Sequence, residues 1–119
     1  MAFLELTRRA LLDIQKIEAF SIEKWGEKIA HEYLDAIESA LNRLRENPQL
    51  LRTDTEISES LCFYRVRQHF LVCALHEDHV SVLTVKHGAM DLPNRIAELE
   101  PQLSIEAEML YKSYRNKRS

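Results

Sequence analysis

The sequence predicts an α+β domain, with a pair of helices laid against a small antiparallel sheet and more helix at the C-terminus. Two amphipathic helical stretches fill the first half of the 119 residues. Three short runs rich in Val, Phe, Tyr and Thr then follow, at Leu61–Val66, Phe70–Leu75 and Val80–Val85. Each is too short for a stable helix and has the composition of a strand. The breaks Arg67–His69 and His76–His79 are short enough to close hairpins between antiparallel neighbours.

Taken in order, Phe3-Leu4-Glu5-Leu6-Thr7 alternates apolar and polar like a half-buried strand. Thr7 stands where a helix N-cap belongs, because its hydroxyl can accept a free backbone N–H of the first turn. Ala10, Ile14 and Ile17 then mark one apolar stripe. Gly26 after Trp25 breaks this helix, and Ile29, Tyr33, Leu34, Ile37, Leu41 and Leu44 carry a second stripe over about five turns. Asn47-Pro48 closes it, since the residue before proline is pushed out of the helical region. Helices joined so tightly fold back as an antiparallel hairpin. Leu50–Ser60 has no clear period and reads as loop. Phe70–Leu75 is apolar on both faces, as suits an interior strand. Asp91 caps a further helix with Pro93 in its first turn. A last helix is expected from about Ser104, so that residues 1–103 form the domain and residues 104–119 a helical extension with a basic tail. The hairpin covers one face of the sheet, and the other face is expected to be free.

Composition narrows the class. Apolar residues make up 45% and charged residues 29% of the chain, the balance of a single globular core. No apolar run reaches the roughly 18 residues of a membrane span, and no leader pattern opens the chain, so the expected home is the cytoplasm. Cys62 and Cys73 sit among apolar strand neighbours and read as small buried hydrophobes. No Cys/His spacing points to a metal. The net charge of −3 argues against a nucleic-acid binder. Residues 1–60 hold 8 Lys/Arg against 12 Asp/Glu, whereas the last eight residues hold four cations and no acidic side chain. An acidic helical half beside a mildly basic sheet and tail suits a protein that presents its sheet side to a partner.

Several short signatures, in order, resemble the ParE branch of the ParE/RelE toxins of bacterial type II toxin–antitoxin systems. They are Leu6-Thr7 before the first helix, Trp25-Gly26 between the helices, His69-Phe70 opening a strand, and Val85-Lys86-His87 followed by Met90-Asp91 and Arg95. The series spans residues 4–100. At Cys62 the chain departs from the Arg that members often carry. The resemblance implies an antitoxin, ParD-like or similar, that wraps the helical hairpin and sheet to give a hetero-oligomer. It also implies poisoning of DNA gyrase by protein–protein contact, with neither cofactor nor metal and no membrane. The target-contacting residues it suggests are His69, Phe70, His87, Asp91 and Arg95. Ile14, Ile17, Leu34, Ile37 and Leu41 belong to the core stripes, whose exposed rims would seat the antitoxin.

The resemblance leaves a second activity open, because RelE relatives cut mRNA on an open sheet face. A ribonuclease must activate the 2′-hydroxyl, hold extra phosphate charge and protonate the leaving oxygen. Arg65, Arg67, His69 and His87 are the candidates, with Lys86, Tyr64 and Tyr111 behind them. Alternation places Arg65 and Arg67 on one face and points Lys86 and His87 opposite ways. An acidic chain with few clustered cations suits an RNA-lined surface poorly. Direct nucleic-acid binding is therefore not expected, and an inhibitor is favoured over an enzyme. A member that binds antitoxin without being toxic is a third possibility. Purely structural roles are open as well: His69 as a turn imidazole, His87 bonded to Asp91 or to a free helix N-terminal group, and His76 and His79 solvated beside a tight turn. Phe20 and Trp25 are expected to pack at the hairpin bend. Tyr111, Tyr114, Arg115, Lys117 and Arg118 could stack on bases, pack on their own domain, or occupy the groove an antitoxin would use.

Overall fold

The computed structural model describes residues 2–118. Its elements are β1 (Phe3–Leu6), α1 (Arg8–Trp25), α2 (Glu27–Glu46), a 3-10 turn (Pro48–Leu50), β2 (Arg52–Asp54), β3 (Ser58–Val66), β4 (His69–His76), β5 (His79–His87) and α3 (Leu92–Arg118). The five strands form one mixed sheet in the order β1-β5-β4-β3-β2. The three hairpin pairings are antiparallel, while β1 joins β5 in parallel. No helix among the described residues is long and apolar enough to cross a membrane.

Local signals act as their chemistry dictates. The Thr7 hydroxyl accepts the Ala10 N–H at 3.1 Å and donates to the Leu83 carbonyl at 2.8 Å, so one side chain caps α1 and ties it to β5. Gly26 has φ 91°, a left-handed conformation that a side chain disfavours, and there α1 turns into α2. Asn47 ends α2 by donating its N–H to the Arg43 carbonyl at 2.8 Å. The two hairpin turns sit at Arg67 (φ 53°) and Glu77 (φ 55°).

The sheet is buried on both faces. Against the helical hairpin, Tyr33, Ile37, Ala40 and Leu44 pack on Leu71, Cys73, Val80 and Val82. On the opposite face Ile96, Leu103 and Ala107 of α3 pack on Leu61, Phe63, Val72, Ala74 and Leu83. The face that sequence reasoning left free is therefore covered.

Two further corrections follow. One helix runs from Leu92 to Arg118 with Pro101 inside it, where two were expected with a boundary near Ser104. Ile96, Leu99, Leu103 and Ala107 keep helical spacing across the proline and pack on one face, and that packing overrides the break. Within the expected loop, Arg52–Asp54 pairs with β3 as an edge strand. Cys62 and Cys73 stand opposite one another across β3 and β4 as free thiols, both pushed upward in pKa by burial.

Pro101 removes one backbone donor and crowds the preceding turn. Pro101→Ala is expected to raise stability by about 1–3 kcal/mol, less the unfolded-state entropy that proline removes. Chemical denaturation of the two proteins checks it.

Candidate functional site

His69 opens β4 and His87 closes β5, and the register pairs them directly, so the hairpin itself brings the two imidazoles together. Their rings meet edge to face with centroids 5.0 Å apart. Tyr33 reaches them from α2, its ring 5.4 Å from that of His69. The Gln68 backbone N–H donates to the Tyr33 oxygen at 3.2 Å, and Tyr33 in turn hydrogen-bonds His69 Nδ1. The phenol oxygen accepts from Gln68, and burial holds its pKa above the usual range, so its proton is directed at Nδ1. His69 is thereby fixed as the neutral tautomer with its own proton on Nε2. Burial first, then the neighbouring His87, lowers its pKa to about 4.

His87 is held in the same sense. Its Nδ1 accepts the Ala89 N–H at 3.0 Å, which leaves the ring proton on Nε2. The turn behind it is pinned by the Gly88 N–H donating to the Gln68 carbonyl at 2.7 Å. A Cβ at Gly88 would lie 3.1 Å from the Phe70 ring and 3.3 Å from that carbonyl, so glycine here permits the close approach of two turns.

These rings form the base of a pocket of about 170 Å³ lined by Lys16, Ile17, Phe20, Ser21, Trp25, Tyr33, Gln68, His69 and His87. Phe20 and Trp25 meet edge to face at 5.9 Å at its rim, and the Lys24 ammonium lies 4.9 Å from the indole. Both were expected to pack at the bend, yet they are 56% and 51% exposed. Large aromatics left open beside a pocket are a common sign of a contact surface.

The other expected site residues are spread around this end of the sheet. Phe70 is half-buried against the α3 core, with the Arg65 guanidinium 5.4 Å over its ring. Arg67 lies 5.7 Å over the Tyr33 ring on the hairpin side. The two arginines thus do not share a face, because the strand ends at Val66 and Arg67 turns with a positive φ. Asp91 accepts from the Asn94 side chain at 2.6 Å, and its backbone carbonyl takes the Arg95 N–H. It makes no bond to His87. Arg95 is exposed, near Glu98 at 3.9 Å. Tyr64 takes a hydrogen bond from Arg43 Nε at 3.3 Å. Of the stripe residues, Ile37 is 2% exposed, while Ile14, Ile17, Leu34 and Leu41 are partly buried on the core.

At the far end of the sheet the structure corrects a reading. His79, expected in solvent, is fully buried, with Nε2 3.1 Å from a Glu5 oxygen and Tyr114 stacked on it at 4.7 Å. Tyr111 stacks on His76 at 4.9 Å. These tyrosines are occupied in packing α3 down. Sequence reasoning also missed Tyr33 and Asp13. Asp13 accepts from the Thr84 hydroxyl and, at 3.1 Å, from the Val85 N–H, closing the part of the β5 edge that β1 does not reach.

Comparison with known proteins decides the family. The model for the ParE toxin of the type II toxin–antitoxin system parDE matches residues 4–92. The chain belongs to the ParE toxin family. Among curated proteins none matches the sequence. A chain of the solved "Chromosomal ParDE TA system from P. aeruginosa" shares the fold, with a TM-score of 0.64 at 13% identity. That match covers 73% of this chain and 96% of that one. Nearly all of α3 lies beyond the residues that match the ParE model.

Proposed function

We propose that this ParE-family chain acts in the cytoplasm as a toxin by protein–protein contact, with DNA gyrase as target and a cognate antitoxin as its inhibitor. The observation that carries the reading is the state of the two imidazoles. A ribonuclease needs a base with a free lone pair or an imidazolium that can donate a proton near neutral pH. In both His69 and His87 the Nδ1 lone pair already accepts a hydrogen bond. With a pKa of about 4, His69 is not protonated at pH 7. The sheet face on which RelE relatives work is occupied by α3. What is left is a surface with exposed aromatics and fixed donors, suited to holding a partner rather than transforming a substrate.

Purified protein added to gyrase with supercoiled DNA is expected to accumulate cleaved DNA, while a translation reaction beside it keeps its message intact. Cut message with unaffected gyrase would transfer the assignment to the ribonuclease and make Arg65, Arg67, His69 and His87 its candidates. Inactivity in both would leave a family member that binds antitoxin alone.

A further inference from the structure

We propose that the pocket between the hairpin tip and the His69–His87 pair receives a carboxylate-bearing side chain from an acidic, amphipathic segment of a protein partner. The proposal rests on the reading of the chain as a toxin that works by protein contact, and it specifies what the site recognises. Tyr33 and Ala89 occupy both Nδ1 atoms, so each ring offers one Nε2–H, and no described residue accepts from either. The imidazoles therefore supply donors and no acceptor. Lys16, which makes no ion pair among the described residues, also lines the pocket and adds a cation to it. Two fixed N–H donors beside a cation match the oxygens of a carboxylate, with the charge assistance that strengthens such bonds. Ile17, Phe20 and Trp25 supply apolar walls for the stem of that side chain.

Size and charge decide the kind of occupant. A volume of about 170 Å³ falls below the roughly 300–1,000 Å³ of pockets for drug-sized ligands and suits one side chain. Polynucleotides bind through many phosphates and several cations, whereas Lys16 lines the pocket, Lys24 and Arg67 lie on the Trp25 and Tyr33 rings, and the helical half as a whole holds more acidic than basic residues. The surface also continues. Lys16 lines a second groove of about 520 Å³ between α1 and α3 with Arg8, Leu12 and Met109; the two carboxylates that also line it are engaged, Asp13 by Thr84 and the Val85 N–H and Glu106 by Arg9. Arg8, Leu12, Lys16 and Phe20 repeat every fourth residue, a track of roughly 18 Å along α1. Cations alternate with apolar groups along it. A segment alternating acidic and apolar residues complements that order.

The test uses the full chain, labelled for NMR, titrated with an acetylated Leu-Glu-Leu-Leu-Glu peptide, its Gln counterpart and an oligouridylate. The Glu peptide is expected to shift the imidazole resonances of His69 and His87 and the Trp25 indole N–H. The Gln peptide should bind about tenfold more weakly, the cost of losing charge assistance. Lys16→Met, an exposed change that leaves the fold intact, should weaken the Glu peptide several-fold. Equal binding of the two peptides, shifts confined to other surfaces, no shift up to about 10 mM, or tighter binding of the oligouridylate would each overturn the proposal. Gyrase poisoning by a protein that fails this titration would remove the pocket assignment and keep the toxin reading. Peptide binding by a protein inert toward gyrase would do the reverse.

Discussion

Leu103→Ala is expected to lower the melting temperature by roughly 10 °C or more. Leu103 is 0% exposed at the centre of the layer that α3 makes with Leu61, Phe63, Val72 and Leu83. Truncating a leucine so enclosed costs about 2–5 kcal/mol, the transfer term plus the cavity left behind. For a domain of this size each kcal/mol moves the midpoint by roughly 3–5 °C. Met109→Ala on the same helix is the control: its side chain is 66% exposed, so the change should stay within about 0.5 kcal/mol. Equal effects in thermal melts would mean that α3 does not seal the second face. In that case the sheet would be open, and the argument against surface catalysis would weaken with it.

The second large effect is a pH dependence with a definite sign. The His69 pKa is about 4 in the folded chain, against 6.5 for an ordinary histidine. Between those values the unfolded chain binds a proton that the folded chain refuses, so stability rises with pH across the window. The contribution is complete above about 6.5 and is lost as pH falls toward 4. Allowing for partial exposure of the ring, roughly 1–2 kcal/mol should disappear between pH 7.5 and 4.5. Denaturation of wild type and His69→Gln at several pH values separates this term, because the variant should show a flatter profile. The Glu106 carboxylate, lowered by its hydrogen bond from Arg9, acts below its usual range and so beneath most of this window. Tyr33→Phe should cost about 1–3 kcal/mol at neutral pH, since it strips a partner from the Gln68 N–H and from Nδ1. Identical pH profiles for wild type and His69→Gln would contradict the assignment.

The elements that could be read from the sequence are those fixed by neighbours along the chain. Thr7, Gly26, Asn47-Pro48 and the two hairpin turns act within a few residues of themselves, and each does what its chemistry suggests. The elements that escaped depend on distant partners. β2 is three exposed residues with no pattern of their own, ordered by pairing with β3. Pro101 argues for a break, and only the sheet face beneath α3 explains why the helix continues. His79 reads as a turn residue because nothing nearby announces that Phe3 and Tyr114 will enclose it. Asp13 looks like a solvated helix residue until the short reach of β1 exposes the β5 edge it must satisfy.

The site was half legible in the same way. His69 and His87 stood out as motif residues, and strand register explains their meeting. Tyr33 was counted only as a member of an apolar stripe. A tyrosine amid Ile and Leu was still a usable signal, because a buried phenol must find a partner for its O–H. Arg65 and Arg67 went astray because alternation was extended one residue past the end of a strand.

The whole functional reading depends on the protonation state that Tyr33 and Ala89 impose on the imidazoles. Nitrogen-15 NMR of the side chains, followed through a pH titration, observes it directly. The account predicts neutral His69 with its proton on Nε2 and a midpoint near 4, and at neutral pH His87 also protonated on Nε2. A His69 midpoint near the ordinary 6.5, or a proton residing on Nδ1, would return a working acid–base group to the surface and contradict the binding-site assignment.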